Sequence, residues 1–319
     1  MVGGLRPTPW PSPPPIPPQV GRPLRGRRKT RSPNLHRPLA SLFALALATA
    51  LSAATYEVGP GQALTALGDV PWESLQPGDE VRIHARPEPY REKWVLCRQG
   101  TAEAPIVVRG VADANGALPV IDGRDATTRS ALNYWNQPRG IVKIVGANVP
   151  PDTTPAHIVL ENLDLRSGRP PYSFRAADGS TQNYPNNAAS LYIEKGTNIT
   201  LRGCVFHDSG NGLFISYATR DVLIQGCYLH DNGNTDSAYE HNSYTAAQGI
   251  TFEFNRYGPL RSGCLGNNLK DRSAGLVVRY NWIEGGNRQL DLVDGEDSPV
   301  IQTHPLYRTT FVYGNVLIE

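Results

Sequence analysis

The chain has 319 residues, 39% of them apolar and 19% charged, with a formal net charge of +2, 31 Gly, 28 Pro, 4 Cys and 1 Met. A charge balance this close to zero excludes a polybasic nucleic-acid scaffold, and the apolar content excludes a disordered acidic chain. The Gly-rich, charge-poor composition also excludes a long helical bundle, which would draw on Ala, Glu, Lys, Leu and Arg.

Residues 1–37 carry most of the local bias: 11 of the 28 prolines fall in the first 38 positions, around a basic cluster from Arg22 to Arg37. They read as a disordered leader. Residues 38–54 contain the uncharged run Leu39 to Leu51, 13 residues long, against the ~20 needed for a helix to cross a bilayer. A basic flank, a short apolar run and small residues at Ser52, Ala53 and Ala54 have the form of a secretory signal cleaved after Ala54. The expectation is a secreted or periplasmic protein with no membrane span in its mature part. Export permits disulfides, but Cys97, Cys204, Cys227 and Cys264 are too few for a disulfide scaffold and include no Cys-x-x-Cys pair of the zinc-site kind. Buried thiols are expected instead.

Residues 55–319 form one domain. Its first stretch, Tyr56 to Val111, has strand-like pieces (EVRIHA, PIVVRGV) and is expected to cap the open end of a core, because an uncovered terminal turn exposes strand edges. From Ala156 onward short β-branched runs recur, each punctuated by Gly or Asn. HIVLENLDLRSG, NITLRGCVFHDSG, DVLIQGCYLHDNG and GLVVRYNWIEGG are the clearest. The second and third match at 23 residues: Ile199 with Val222, Cys204 with Cys227, His207 with His230. Asn281 and then Asn315 take the cysteine position in later copies. A period of this size without helical periodicity predicts an all-β chain wound as a parallel β-solenoid with turns of about 23 residues. Stacking would place like residues over like, and an inward Asn would hydrogen-bond the backbone of neighbouring turns. Cys264 fits this register poorly, since only 17 residues separate it from Asn281; either that turn is short or the cysteine lies in a loop. The chain ends at Glu319 in mid-turn, so further turns beyond it are an open expectation. His207 and His230 share a repeat position and read as a structural stack. Asn198-Ile-Thr has the form of a glycosylation triplet within a repeat strand.

The pattern of a β-branched triplet, then Asn or Gly-Cys, then an aromatic or aliphatic residue resembles the right-handed parallel β-helix proteins of the pectate lyase superfamily, across roughly Tyr56 to Glu319. Within that superfamily, NNLKDRSAGLVVRYN followed one turn later by GGNRQLDLV is similar to the lysine-then-arginine arrangement of alginate lyases and chondroitinase B. Here Lys270 precedes Asp271-Arg272, where those enzymes carry Lys-Ser with an acidic residue shortly before the lysine. The resemblance implies an enzyme acting on an acidic polysaccharide, with Lys270, Arg272 and Arg288 at its centre.

Laying the repeats over one another puts SLYIE, GLFIS, GITFE, GNNLK and QLDLV on one stacked strand. Alternation then sends Glu194, Ser216, Glu253, Lys270 and Val293 outward as one column, with Tyr192, Phe214, Thr251, Asn268 and Asp291 beside it. The long insertions, Gly168 to Asn187, Asn232 to Ala247 and Asp294 to Tyr307, all leave near this strand and are expected to wall a groove. A uronate polymer is cleaved by β-elimination when a base removes the proton beside the carboxylate, a donor neutralises that carboxylate, and an acid assists the leaving oxygen. Lys270 would be the base, its pKa lowered by Arg272 and Arg288, and Arg288 the carboxylate clamp. His241, Asn242 and Tyr244 on an insertion, with Glu194 and Asn268, are the candidate substrate contacts. Glu253, Asp291 and Asp294 are the candidate ligands for Ca²⁺, which prefers oxygen donors. Alternative readings are a glycoside hydrolase using Glu194 and Glu253, a uronyl epimerase, or a glycan-binding adhesion solenoid without catalysis. The expected partner is an acidic polysaccharide; nucleic acid is not expected, and nothing in the composition indicates oligomerisation, so a monomer is expected.

Overall fold

The computed structural model describes residues 53–319. The leader and the signal segment through Ser52 therefore lie outside the described residues. Among the described residues no helix is long and apolar enough to cross a membrane.

Three sheets, of nine, ten and seven strands, run the length of the domain. Their strands pair in parallel, apart from the hairpin pair Ser173–Arg175 and Thr181–Asn183 at one margin of the ten-stranded sheet. From Ala189 onward the chain visits each sheet once per coil, which is the parallel β-helix that the repeats predicted. Coil length varies more than the repeats suggested. Along the outward column Arg202, Gln225, Glu253, Arg279 and Tyr313, successive rungs are separated by 23, 28, 26 and 34 residues. The surplus sits in loops between strands, because the strands cannot lengthen without breaking the ~4.8 Å stacking of their neighbours.

Aliphatic residues fill the interior in columns. Ile158, Ile199, Val222, Ile250 and Leu276 stack on one sheet, and Val142, Leu191 and Leu213 on another; all are buried. The stretch expected to be a cap belongs mostly to the coils: strands Thr55–Val58, Glu80–His84 and Ile106–Val111 open the nine-stranded sheet. The covering is supplied by the loop between the first two of them, whose Trp72 is buried and stacks on Trp94 at 5.1 Å. In the last coil Phe311, Val312, Tyr313, Val316, Leu317 and Ile318 are exposed.

One corner of the coils from Cys204 onward is held by a ladder of side chains. Asn255 Oδ1 accepts the Cys227 backbone N–H at 2.9 Å while its Nδ2 donates to Ile224 O at 2.9 Å. Asn281 serves Asn255 and Phe252 in the same way, and Asn315 serves Asn281 and Val278. Cys204 and Cys227 are the earlier rungs, and both are buried thiols. Asn255 is the rung that the repeats did not reveal. Cys264 lies off the ladder, half-buried in a loop between strands. The residue before each rung takes a left-handed conformation: Gly203 (φ 59°), Gly226 (φ 64°), Phe254 (φ 57°), Tyr280 (φ 58°) and Gly314 (φ 67°). Glycine adopts this freely, whereas Phe254 and Tyr280 hold it against a steric cost, helped by the stacking of their rings at 5.4 Å. His207 and His230 stack at 4.8 Å, and His207 is hydrogen-bonded to Asp164 at 2.9 Å.

Truncating one rung should be costly. Asn255→Ala strands the Cys227 N–H and the Ile224 carbonyl, and each buried unpaired group costs about 1–3 kcal/mol. Urea denaturation should therefore give a midpoint well below wild type. An unchanged midpoint would show that the ladder adds nothing to stability.

Candidate functional site

The five strands Ala189–Ile193, Asn211–Ile215, Ser243–Thr245, Leu269–Asp271 and Leu290–Leu292 lie side by side in the ten-stranded sheet. Their register pairs Tyr192 with Phe214, Phe214 with Tyr244, Tyr244 with Lys270, and Lys270 with Asp291. This outward column differs from the expected one in two ways. GITFE is not on this sheet; Gln248–Glu253 belongs to the nine-stranded sheet, where Glu253 pairs with Gln225 and Arg279. Its place here is taken by Ser243–Thr245, inside what had been assigned as an insertion. GNNLK is also displaced by two residues, which keeps its facing, so that Lys270 stands over Asp291 rather than Val293. The reason is chemical: the inward residues of the replaced strand, Ser243 and Thr245, are polar, and an aliphatic pattern search passes over them.

Packing fixes the column. Tyr192 meets Phe214 edge-on with centroids 5.1 Å apart, and Phe214 meets Tyr244 at 5.2 Å. Lys270 Nζ lies 5.0 Å from the Tyr244 ring centroid and 4.0 Å from Asp291 Oδ2. Burial lowers the Lys270 pKa from its ordinary value; Asp291 opposes the shift, and Arg272 and Arg288 reinforce it. Arg272 Nε donates to the Tyr244 hydroxyl oxygen at 3.0 Å. Arg272 is also held by the Asp294 carbonyl, by Glu296 at 3.4 Å and by Asp297 at 3.8 Å. Arg288 reaches Asp291 Oδ1 at 3.7 Å, and Asn267 Nδ2 donates to Asp291 Oδ2 at 2.6 Å. Lys270, Arg272, Arg288, Tyr244 and Asp291 thus come together.

His241 stands against Tyr244, edge-on at 5.5 Å, and is fully buried. Its Nδ1 accepts the Asn267 backbone N–H at 2.9 Å. Burial, with the Lys270 charge adding, drives its pKa down to about 3, so the ring is neutral and its proton is assigned to Nε2. That Nε2 has no hydrogen-bond partner among the described residues, and neither do the buried Asn211 Nδ2, Glu240 Oε2 and Asn267 Oδ1. Asn211 and Glu240 line a depression of about 490 Å³ that includes Phe214 and Tyr244. A second cavity, of about 260 Å³, uses the same two rings and adds Tyr192, Arg139, Arg272 and Ser298. The three insertions border these depressions, as the sequence suggested.

Several expected site residues do other work. Asn242 and Asn268 are fully buried and build a second ladder: Asn242 donates to Gly258 O at 3.0 Å and to Asn268 Oδ1, and Asn268 donates to Glu284 O at 2.8 Å. Neither faces the groove, because both side chains turn inward at a corner. Glu194 follows its strand and pairs with the buried Lys143 and with Asn136. Glu253 is bound by Arg279 at 2.8 Å and Gln225 at 2.7 Å. The hydrolytic pair Glu194 and Glu253 is therefore split between two sheets. Asp294 accepts from Tyr307. The residues expected to ligate Ca²⁺, Glu253, Asp291 and Asp294, do not converge, and among the described residues no group of three or more His, Cys, Asp or Glu is placed to hold a metal.

Polar residues also replace the aliphatic core directly behind the column. Thr245 Oγ1 donates to Asp271 Oδ1 at 2.5 Å, and Ser273 Oγ donates to the same oxygen at 2.7 Å. Burial raises the Asp271 pKa from 3.8 to about 6 despite these bonds. The folded state then keeps a proton that the unfolded chain has already released. Stability accordingly falls as pH rises from about 4 to about 6, by ~3 kcal/mol. Asp271→Asn should remove this slope. Urea midpoints between pH 4 and pH 7 that fall equally in wild type and variant would locate the effect elsewhere.

Residues 181–303 match the family model described as a right-handed β-helix region. No curated protein matches the sequence. Among solved structures, the fold is similar to an alginate lyase from Paenibacillus sp. strain FPU-7, at 13% identity over 78% of this chain and 70% of that one, with a TM-score of 0.46. A lacto-N-biosidase from Eubacterium ramulus gives 14% identity over 83% of this chain and 56% of that one, TM-score 0.49. A pectin methylesterase from Aspergillus niger gives 11% over 84% and 87%, TM-score 0.43. The coil register and the matched region make this chain a right-handed parallel β-helix protein.

Proposed function

We propose that the protein is an exported carbohydrate-active enzyme, a lyase that cleaves a uronic-acid polysaccharide by β-elimination in the groove over Tyr192, Phe214, Tyr244 and Lys270. The observation that carries this reading is the meeting of a lysine of lowered pKa, a tyrosine hydroxyl and two guanidinium groups on one loop-walled face. Export rests on the signal-like segment ending at Ala54.

The chemistry follows from what each group can do. A sugar carboxylate placed beside Arg288 is neutralised by its charge, which makes the adjacent ring C–H acidic enough to lose its proton. Neutral Lys270 accepts that proton and becomes an ammonium. The electron pair of the broken C–H bond forms a carbon–carbon double bond and expels the glycosidic oxygen. Tyr244 donates its proton to that oxygen. Arg272 supports this step, because its N–H already occupies one lone pair of the Tyr244 oxygen and leaves the hydroxyl proton to be given outward. Exchange with water then returns Lys270 and Tyr244 to their starting states. The half-exposed rings of Phe214 and Tyr244 supply an apolar surface for the sugar.

The full chain, incubated with alginate, pectate, desulfated chondroitin and neutral glycans, should raise the ultraviolet absorbance of an unsaturated uronyl end on one acidic polymer. Lys270→Ala should abolish that rise by at least 10³-fold in kcat, in the range of a lost general base, with KM little changed. New reducing ends without absorbance would mean hydrolysis, and epimerised product without cleavage would mean an epimerase; either would overturn the lyase reading. Activity should also climb with pH as Lys270 loses its proton. Asp291→Asn removes the charge that opposes the lowered pKa, so this limb should move to lower pH. A limb that stays in place would remove Lys270 from the role of base.

A further inference from the structure

Arg139 was not marked by any repeat, because it lies on a single helical turn, Gln137–Arg139, that precedes the strand Gly140–Ile144. The turn is anchored at both sides. Gln137 Oε1 accepts the Ala177 N–H at 3.1 Å, and the Arg139 N–H donates to Asn136 O at 3.0 Å. From this base the Arg139 side chain reaches over the aromatic column, with its guanidinium carbon 5.1 Å from the Tyr192 ring centroid and 5.0 Å from that of Phe214. It lines the 260 Å³ cavity together with Arg272.

The two arginines of that cavity differ in one respect. Arg272 is already engaged by Tyr244, the Asp294 carbonyl, Glu296 and Asp297. Arg139 has no carboxylate partner and no side-chain hydrogen bond among the described residues, and its Nε is buried without an acceptor. Aromatic faces hold a guanidinium in place but leave its in-plane N–H groups unused. A half-buried guanidinium with no acceptor is an unfilled demand for an anion, and its planar fork matches a carboxylate.

We propose that Arg139 is the anchor of a second substrate subsite, which takes the carboxylate of a sugar ring lying against the half-exposed Phe214. This rests on the reading of the groove as a uronate site and adds its reach. Phe214 is two strand steps from Lys270 in the sheet, or about 10 Å at ~4.8 Å per step. Both anion contacts are therefore met only by an oligomer, and a disaccharide at Lys270 leaves Arg139 unused. The carboxylate supplies acceptor atoms that the protein does not.

The test measures binding apart from turnover. Lys270→Ala protein, alone and with Arg139→Ala or Arg139→Lys added, would be titrated calorimetrically with hexamers of mannuronate, guluronate and galacturonate. Each would be compared with its carboxyl-reduced, neutral counterpart. The expected result is a loss of tenfold or more in affinity for one acidic hexamer on Arg139→Ala, no loss for its neutral counterpart, and partial recovery with Arg139→Lys. The active enzyme carrying Arg139→Ala should show a KM raised tenfold or more on polymer, a larger rise than on the shortest substrate. Equal losses for acidic and neutral hexamers would make Arg139 a packing residue and overturn the proposal. Unchanged affinity, with Lys270-dependent elimination intact, would overturn it and leave the lyase reading standing. Absence of binding to every uronate hexamer by the Lys270→Ala protein would overturn both.

Discussion

Backbone hydrogen bonds between successive coils keep every strand about 4.8 Å from its neighbours, and this spacing decides what each side chain can touch. A residue pointing out of the sheet meets its counterparts on the coils before and after, and little else. Tyr192, Phe214, Tyr244, Lys270 and Asp291 are scattered over a hundred residues of sequence yet form one continuous column. The same constraint explains the interior, where aliphatic residues repeat because only like shapes stack without voids. It also explains why length changes are confined to loops.

The regular core is interrupted behind the groove. Ser243, Thr245 and Asp271 occupy positions that Leu213, Ile215 and Ile193 fill in neighbouring coils. A buried hydroxyl–carboxylate network is less stabilising than the aliphatic packing it replaces, unless every group is satisfied. Here the oxygens of Asp271 receive bonds from Thr245 and from Ser273. The network lies directly behind Tyr244 and Lys270 and fixes the backbone that carries them.

Much of the architecture was legible in the chain, since the spacing of Cys204 and Cys227 and the later Asn281 and Asn315 announced stacked coils. The site was legible only in part. Lys270, Arg272, Arg288, Tyr244 and Asp291 are all site candidates from the sequence, but with Tyr244 on an insertion and Asp291 in a metal set, and the column is misread at Glu253 because GITFE has the aliphatic alternation of a core strand while Ser243–Thr245 does not. Asn242 and Asn268 looked like exposed polar residues and are corner supports; nothing in a local pattern separates an amide that faces solvent from one that closes a turn. Asn211, His241 and Asn267 occupy equivalent places on successive coils, a relation that appears only after the register is right. Arg139 has no counterpart in any repeat, so periodicity could not reach it.

The asparagine ladder has a direction. The Oδ1 atoms of Asn255, Asn281 and Asn315 each accept a backbone N–H of the coil that precedes them in sequence. The corner of a coil is therefore completed by residues translated after it. A chain ending before the next asparagine would leave the last corner N–H without this acceptor. In the folded chain each of these corners is thus closed by the coil that comes after it.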